Sequence, residues 1–115
     1  GSGASLIAEA NPSNKITFTS ANSEDFHWKG IFMSFSADVT LDNIEISYAG
    51  SSLHNFSGND YGATIAVEEM GQLNITNSKI SNSGAYGIYS KGITNDFEAE
   101  SANNTFINNQ LGNVR

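Results

Sequence analysis

Residues 39–50 read VTLDNIEISYAG and residues 73–84 read LNITNSKISNSG. At a shift of 34 the two stretches pair Val39 with Leu73, Leu41 with Ile75, Ile46 with Ile80, Ser47 with Ser81 and Gly50 with Gly84, with Asn43 falling on Asn77. A looser third copy, AESANNTFINN, sets Asn103 in the Asn77 place and Phe106 in that of Ile80. Repetition at a fixed period of this size is the signature of an architecture whose units bury their apolar faces only by stacking. Within each copy the apolar residues alternate with polar ones, which is strand periodicity. The alternation changes phase at Asn43 and again at Asn77. Asn tolerates left-handed backbone angles better than most residues, so the break is a corner between two short strands.

Working outward, a third strand line precedes each pair. WKGIFM (28–33), YGATIAV (61–67) and YGIYS (86–90) each place an aromatic residue and a glycine before alternating apolar residues. Trp28, Tyr61 and Tyr86 are 33 and then 25 residues apart, which sets them in one column if SSLHNFSGND (51–60) is a protruding loop. SLIAEA (5–10) and ITFTS (16–20) supply an earlier partial circuit. The expected fold is all-β, a right-handed parallel β-helix (β-solenoid) of about four coils, stacked roughly 4.8 Å apart. Its interior is predicted to hold Val39, Leu41, Ile44, Ile46, Leu73, Ile75, Ile80, Ile88 and Phe106.

Composition agrees with this reading. Gly, Ser and Asn make up 42 of 115 residues, while Leu, Ile, Val and Phe still supply 26, enough for a core. The length fits one domain, expected over residues 4–115, with Gly1-Ser2-Gly3 reading as a cloning remnant and the whole as an excerpt of a longer chain. A net charge of −7 with no basic cluster argues against a nucleic-acid partner. No apolar run reaches membrane-spanning length, so no membrane insertion is expected. Cysteine is absent, which excludes disulfides, thiolate metal sites and cysteine nucleophiles.

The string KITFTSANSEDFHWKGIFM, followed by LDNIEISYAG, ITNSKISNSGAYGIY and NNTFINN, resembles the right-handed parallel β-helix, or pectate-lyase-like, superfamily, and most of all the repeat regions of bacterial surface proteins. The resemblance runs from about Ser5 to Asn109. It implies architecture far more than activity, because such coils carry lyases, hydrolases, adhesins and inert spacers alike. It also implies an extracellular or cell-surface location in a bacterium. Lyases of this superfamily set calcium-binding Asp residues beside an Arg or Lys base. Here the single Arg is Arg115, and Lys29, Lys79 and Lys91 lack an adjacent acidic pair. No catalytic residue and no metal site is therefore assigned.

The residues that invite a function are few. Asp38, Asp42 and Glu45, with Asp60, Glu68 and Glu69 near in sequence, admit calcium as the one cofactor to consider; a solvated acidic face fits them better. Glu45 and Lys79 share a column and are expected to form a surface ion pair. Trp28, Tyr61, Tyr86 and Tyr89 suit a carbohydrate contact, with His27, Asn59 and Asp60 as hydrogen-bonding neighbours. The competing reading is that the aromatic column seals a corner. Asn43, Asn77 and Asn103 are expected to stack as a structural ladder. The function expected is a non-catalytic module serving as structural repeat, adhesin or polysaccharide-contacting surface. The alternative is a fragment of a polysaccharide lyase or glycoside hydrolase. Uncapped ends point to end-to-end self-association.

Overall fold

The computed structural model describes residues 4–20, 28–33, 36–50, 54–56, 59–68, 71–90 and 96–115. Its strands are β1 (Ser5–Glu9), β2 (Ile16–Phe18), β3 (Ile31–Met33), β4 (Asp38–Asp42), β5 (Ile44–Ser47), β6 (His54–Phe56), β7 (Asn59–Tyr61), β8 (Ala63–Val67), β9 (Gln72–Thr76), β10 (Lys79–Ser81), β11 (Tyr86–Ser90), β12 (Thr105–Ile107) and β13 (Gly112–Val114). One turn of 3-10 helix, Glu100–Ala102, is the sole helical element among the described residues. None of their helices is long and apolar enough to cross a membrane.

Eleven of these strands form three sheets in which every pairing is parallel. The first sheet runs β1-β4-β9, the second β2-β5-β10-β12 and the third β3-β8-β11-β13. The chain visits first, second and third sheet in turn and then begins again, each visit adding a strand beside the previous one. The protein is thus all-β with three parallel sheets, an arrangement compatible with a β-helix.

Register follows the apolar residues, because a slip of one position would turn every side chain to the opposite face. Leu6, Val39 and Leu73 form one inward column, Phe18, Ile46, Ile80 and Phe106 a second, and Ile31, Ile65, Ile88 and Val114 a third. Leu41, Ile44, Ile46, Ile65 and Ile88 are fully buried. Every interior residue named from the sequence belongs to this core, Phe106 as a half-buried residue packed against it.

Three features depart from the sequence reading. Tyr86 pairs with Ala63, not with Tyr61, and Ile88 with Ile65. Trp28, Tyr61 and Tyr86 are therefore not one column. The Tyr-Gly pairs at 61–62 and 86–87 suggest one alignment, but burying Ile88 against Ile65 requires a two-residue slip, which keeps the alternation intact. Secondly, the sequence shows no strand period in 51–60, yet β6 and β7 pair antiparallel, with His54 opposite Tyr61 and Phe56 opposite Asn59. Thirdly, Phe97, set in the polar string TNDFEAES, is buried in the main core. The Asn77 N–H donates to Ala102 O (2.9 Å), so the segment carrying Phe97 lies against the end of β9, where the first sheet acquires no further strand.

Gly30 has φ 109°, and a Cβ there would run into the Thr64 carbonyl oxygen of the adjacent strand. Gly112 has φ 136°, but its nearest neighbour would be a Tyr86 ring carbon at 3.5 Å, an ordinary contact. Gly112→Ala should therefore cost only the backbone strain, about 1–3 kcal/mol. Gly30→Ala adds a collision with backbone that cannot rotate away, and should cost roughly 1–3 kcal/mol more. Urea unfolding of the two variants checks the order.

Candidate functional site

The corner between the first and second sheets is built on three asparagines in left-handed conformation, Asn43 (φ 57°), Asn77 (φ 52°) and Asn103 (φ 56°). On its outer side Asn103 Nδ2 donates to Asn77 Oδ1 at 2.9 Å, and Asn77 Nδ2 donates to Asp42 Oδ1 at 2.9 Å. The same Asp42 oxygen accepts from Thr76 Oγ1 at 3.1 Å. Asn43 is not a rung of this ladder: its amide is nearly buried and donates to Ala10 O at 3.1 Å. The preceding segment presents a main-chain carbonyl there, and the carboxylate of Asp42 takes the rung instead. Asn77 and Asn103 are exposed, so the ladder runs along the surface of the corner.

The residue after each corner asparagine points inward. Ser78 Oγ accepts the Ile44 N–H (3.1 Å) and donates to Thr76 O (2.8 Å). One layer on, Asn104 Oδ1 accepts the Ser78 N–H (3.1 Å), while Asn104 Nδ2 donates to Ile75 O (2.9 Å) and Phe97 O (3.1 Å). Five residues past each of the three asparagines lies a second left-handed residue: Tyr48 (φ 58°), Asn82 (φ 54°) and Asn108 (φ 55°). Here Asn109 Oδ1 accepts the Ser83 N–H (3.1 Å) and Asn109 Nδ2 donates to Ile80 O (3.3 Å). The sequence carried a signal for this second corner in Asn103-Asn104 and Asn108-Asn109, doublets five residues apart.

Along the first corner runs an open groove of about 420 Å³, lined by Lys15, Asn43, Asn77, Lys79, Asn103 and Thr105 among others. Glu45 stands between Lys15 and Lys79. It is in register with Lys79, but its ion pair is with Lys15, at 3.9 Å. Both partners are about 40% exposed (39% and 41%), where solvent screening leaves such a pair little effect on stability. No group of three or more His, Cys, Asp or Glu side chains gathers among the described residues. Asp42 already accepts two hydrogen bonds in the ladder, and Glu69 lies outside the described residues.

The aromatic residues considered for carbohydrate divide. Trp28 is half-buried against the core, and its Nε1–H donates to Ser47 O at 2.9 Å, which fixes the indole as a packing element. Tyr86 and Tyr89 form a small cluster with Ala63 and Ala66. The Arg115 guanidinium lies over both rings, 5.8 Å from the Tyr86 centroid and 5.9 Å from that of Tyr89, within cation–π range. The Arg115 main chain is tied to β11 by bonds to Ile88 O and from Ser90 N–H, both 2.9 Å. Asn59, Asp60 and Tyr61 occupy β7 of the hairpin, and His27 lies outside the described residues. The place of Arg115 over the tyrosines follows from a third-sheet register that the local sequence pattern did not reveal.

Comparison with known proteins gave no match to a family model, to a curated protein or to a solved structure.

The two kinds of corner asparagine should respond differently to substitution. Asn104→Ala strips a partner from the Ser78 N–H and from two carbonyls in a partly buried place, and should cost about 2–3 kcal/mol. Asn77→Gly removes exposed bonds that water can replace, at a φ that glycine adopts freely, and should cost under about 1 kcal/mol. Chemical denaturation of both variants tests the ranking, and an Asn77→Gly loss as large as that of Asn104→Ala would contradict the exposed placement of the ladder.

Proposed function

We propose that the chain is a non-catalytic structural repeat of a bacterial extracellular or cell-surface protein, built as a right-handed parallel β-helix of about four coils with the architecture of the pectate-lyase-like superfamily. The observation that carries the reading is how the chemistry-bearing side chains are engaged. Asp42 holds the asparagine ladder, Glu45 is paired with Lys15, Trp28 donates to main chain, and Arg115 is laid over Tyr86 and Tyr89. A lyase or hydrolase site needs a base or acid whose proton can be exchanged with substrate, held within hydrogen-bond reach of the reacting bond. In this chain the same residue types hold one layer to the next.

The cyclic order of the three sheets and the recurrence of left-handed corners support the β-helix. The acidic, asparagine-rich and cysteine-free composition supports the location. A repeat of this kind acts by length and stiffness: each added layer extends the stack by one strand spacing, and parallel pairing on all sides resists bending. It separates or presents whatever is joined to it. A glycan-contacting surface is the lesser reading, because Trp28 is committed to packing and Tyr86 and Tyr89 to Arg115.

Incubation with uronate polymers, with and without calcium, should release no unsaturated product and no new reducing ends. Titration with the same polymers should leave the fluorescence of Trp28 unchanged. Product formation would establish the enzyme-fragment alternative, and a saturable fluorescence change would establish a carbohydrate-contacting surface.

A further inference from the structure

Tyr48 is held in left-handed backbone at φ 58°, in the column that Asn82 (φ 54°) and Asn108 (φ 55°) take in the two layers that follow. A bulky residue at positive φ is an outlier, and asparagine bears the same conformation more readily. The strain at Tyr48 is not repaid by packing. Its ring belongs to neither apolar cluster, although Trp28 and Tyr86, half-buried as Tyr48 is, each pack against one. Among the described residues the Tyr48 side chain makes no hydrogen bond and no ring contact. The Asn82 and Asn108 amides are also without a partner among the described residues. At the first corner, by contrast, Asn77 and Asn103 bond to each other, and Asn104 and Asn109 bond to main chain. Backbone strain that brings the fold no contact points to a residue kept for another purpose.

We infer that the second corner is a contact site for a neutral saccharide chain laid along the stack, one sugar ring on Tyr48 and the next units hydrogen-bonded to Asn82 and Asn108. The three residues come one per layer, roughly 4.8 Å apart. That spacing is close to the length of one pyranose unit, so successive sugars meet successive layers. The phenol offers a flat apolar face with a hydroxyl at its rim, which suits the C–H face of a pyranose ring. Each amide carries its donor and acceptor on separate atoms, which suits a pair of neighbouring hydroxyls. The residues flanking the column in sequence are Ser47, Ala49, Ser81, Ser83, Ile107 and Asn109, none of them charged. A chain of net charge −7 repels a polyanion, so the sugar that fits is uncharged. A peptide strand fits less well, because corner N–H groups that would receive it are already spent. Tyr48 N–H donates to Ser81 O at 3.3 Å and Asn82 N–H to Ile107 O at 2.9 Å. The site goes beyond the structural-repeat reading and uses none of the aromatic residues weighed above for carbohydrate.

NMR titration with cellohexaose, xylohexaose, mannohexaose, chitohexaose and maltohexaose tests the site. At least one of them should shift the side-chain amide signals of Asn82 and Asn108 saturably, and leave those of Asn77 and Asn103 in place. Tyr48→Asn installs the residue that the next layers carry, and should weaken that binding about tenfold. By relieving strain it should also raise the urea midpoint of unfolding. Asn82→Gly keeps the left-handed backbone and should weaken binding about threefold. No saturable shift with any of these sugars at millimolar concentration, or shifts confined to other residues, would overturn the proposal. Binding unaltered by Tyr48→Asn would do the same. A lowered urea midpoint for Tyr48→Asn would make the ring a part of the fold and overturn it equally. The probes are uncharged sugars read at the second corner, so their failure is distinct from any result with uronate polymers, which bears on the structural-repeat reading.

Discussion

A backbone held at φ between 52° and 57° at Asn43, Asn77 and Asn103 turns the chain into the second sheet, and does so at the same place in three successive layers. In these layers the corner has one shape, so the strands on both sides of it keep their ladders; the first layer instead passes residues 10–15 through the corner, and β1 and β2 still pair in register with β4 and β5. Left-handed backbone strains an ordinary residue by roughly 1–2 kcal/mol, and Asn is among the side chains that bear it most readily. Repeated asparagine at this position thus suits the compact corner, and the surface ladder of amides is its by-product. The second corner shows what is obligatory. Tyr48 adopts φ 58° in the place that Asn82 and Asn108 take in later layers, so the conformation persists where the residue type does not.

What was legible in the sequence follows from this. The period-two pattern of VTLDNIEIS and its phase change at Asn43 gave two sheets, their register and most of the core, because alternation and corner are local signals. The third sheet was legible as strands but not in register. Its alignment is decided by which isoleucine buries against which, and the Tyr-Gly pairs before β8 and β11 offered a false anchor. Phe97 could not be read at all. A lone phenylalanine in an acidic polar string carries no period, and only the end of the first sheet at β9 opens a place for it. The second corner was hidden by Tyr48, which masks a pattern that Asn82 and Asn108 otherwise repeat.

The candidate site was legible as residue types and not as roles. Indole, phenol, carboxylate and guanidinium are each ambiguous in a sequence, because the same groups bind ligands when free and brace a fold when engaged. Distances decide between these. A 2.9 Å bond from the Trp28 indole to Ser47 O, and a guanidinium near 6 Å from two phenol rings, hold those groups against their own chain. Withdrawing any of them to meet a ligand would give up a contact already made, so affinity would begin from a deficit. Lys79 is different: it is in register with Glu45 while Glu45 pairs with Lys15, and it lines the groove along the corner.

The polarity of the corner interior changes along the stack in a way that explains why its two ends differ. Behind the first corner the inward position is Ile44, then Ser78, then Asn104; behind the second it is Ala49, then Ser83, then Asn109. In the inner layers corner main-chain groups find partners in the next layer: Asn43 N–H in Thr76 O and Tyr48 N–H in Ser81 O, both at 3.3 Å. An apolar residue can then fill the interior. The same bonds recur one layer on, from Asn77 N–H to Ala102 O and from Asn82 N–H to Ile107 O, both at 2.9 Å. Asn104 and Asn109 add side-chain amides to them, each accepting one N–H from the layer before and donating to a carbonyl there. An amide does this better than a hydroxyl, because its acceptor and donors are on separate atoms and can face different groups. With Phe97 filling the core beside them, these asparagines close the last layer from within. Among the described residues the first layer shows no counterpart to them, and Leu6 and Ile16, at the heads of their columns, are 40% and 39% exposed.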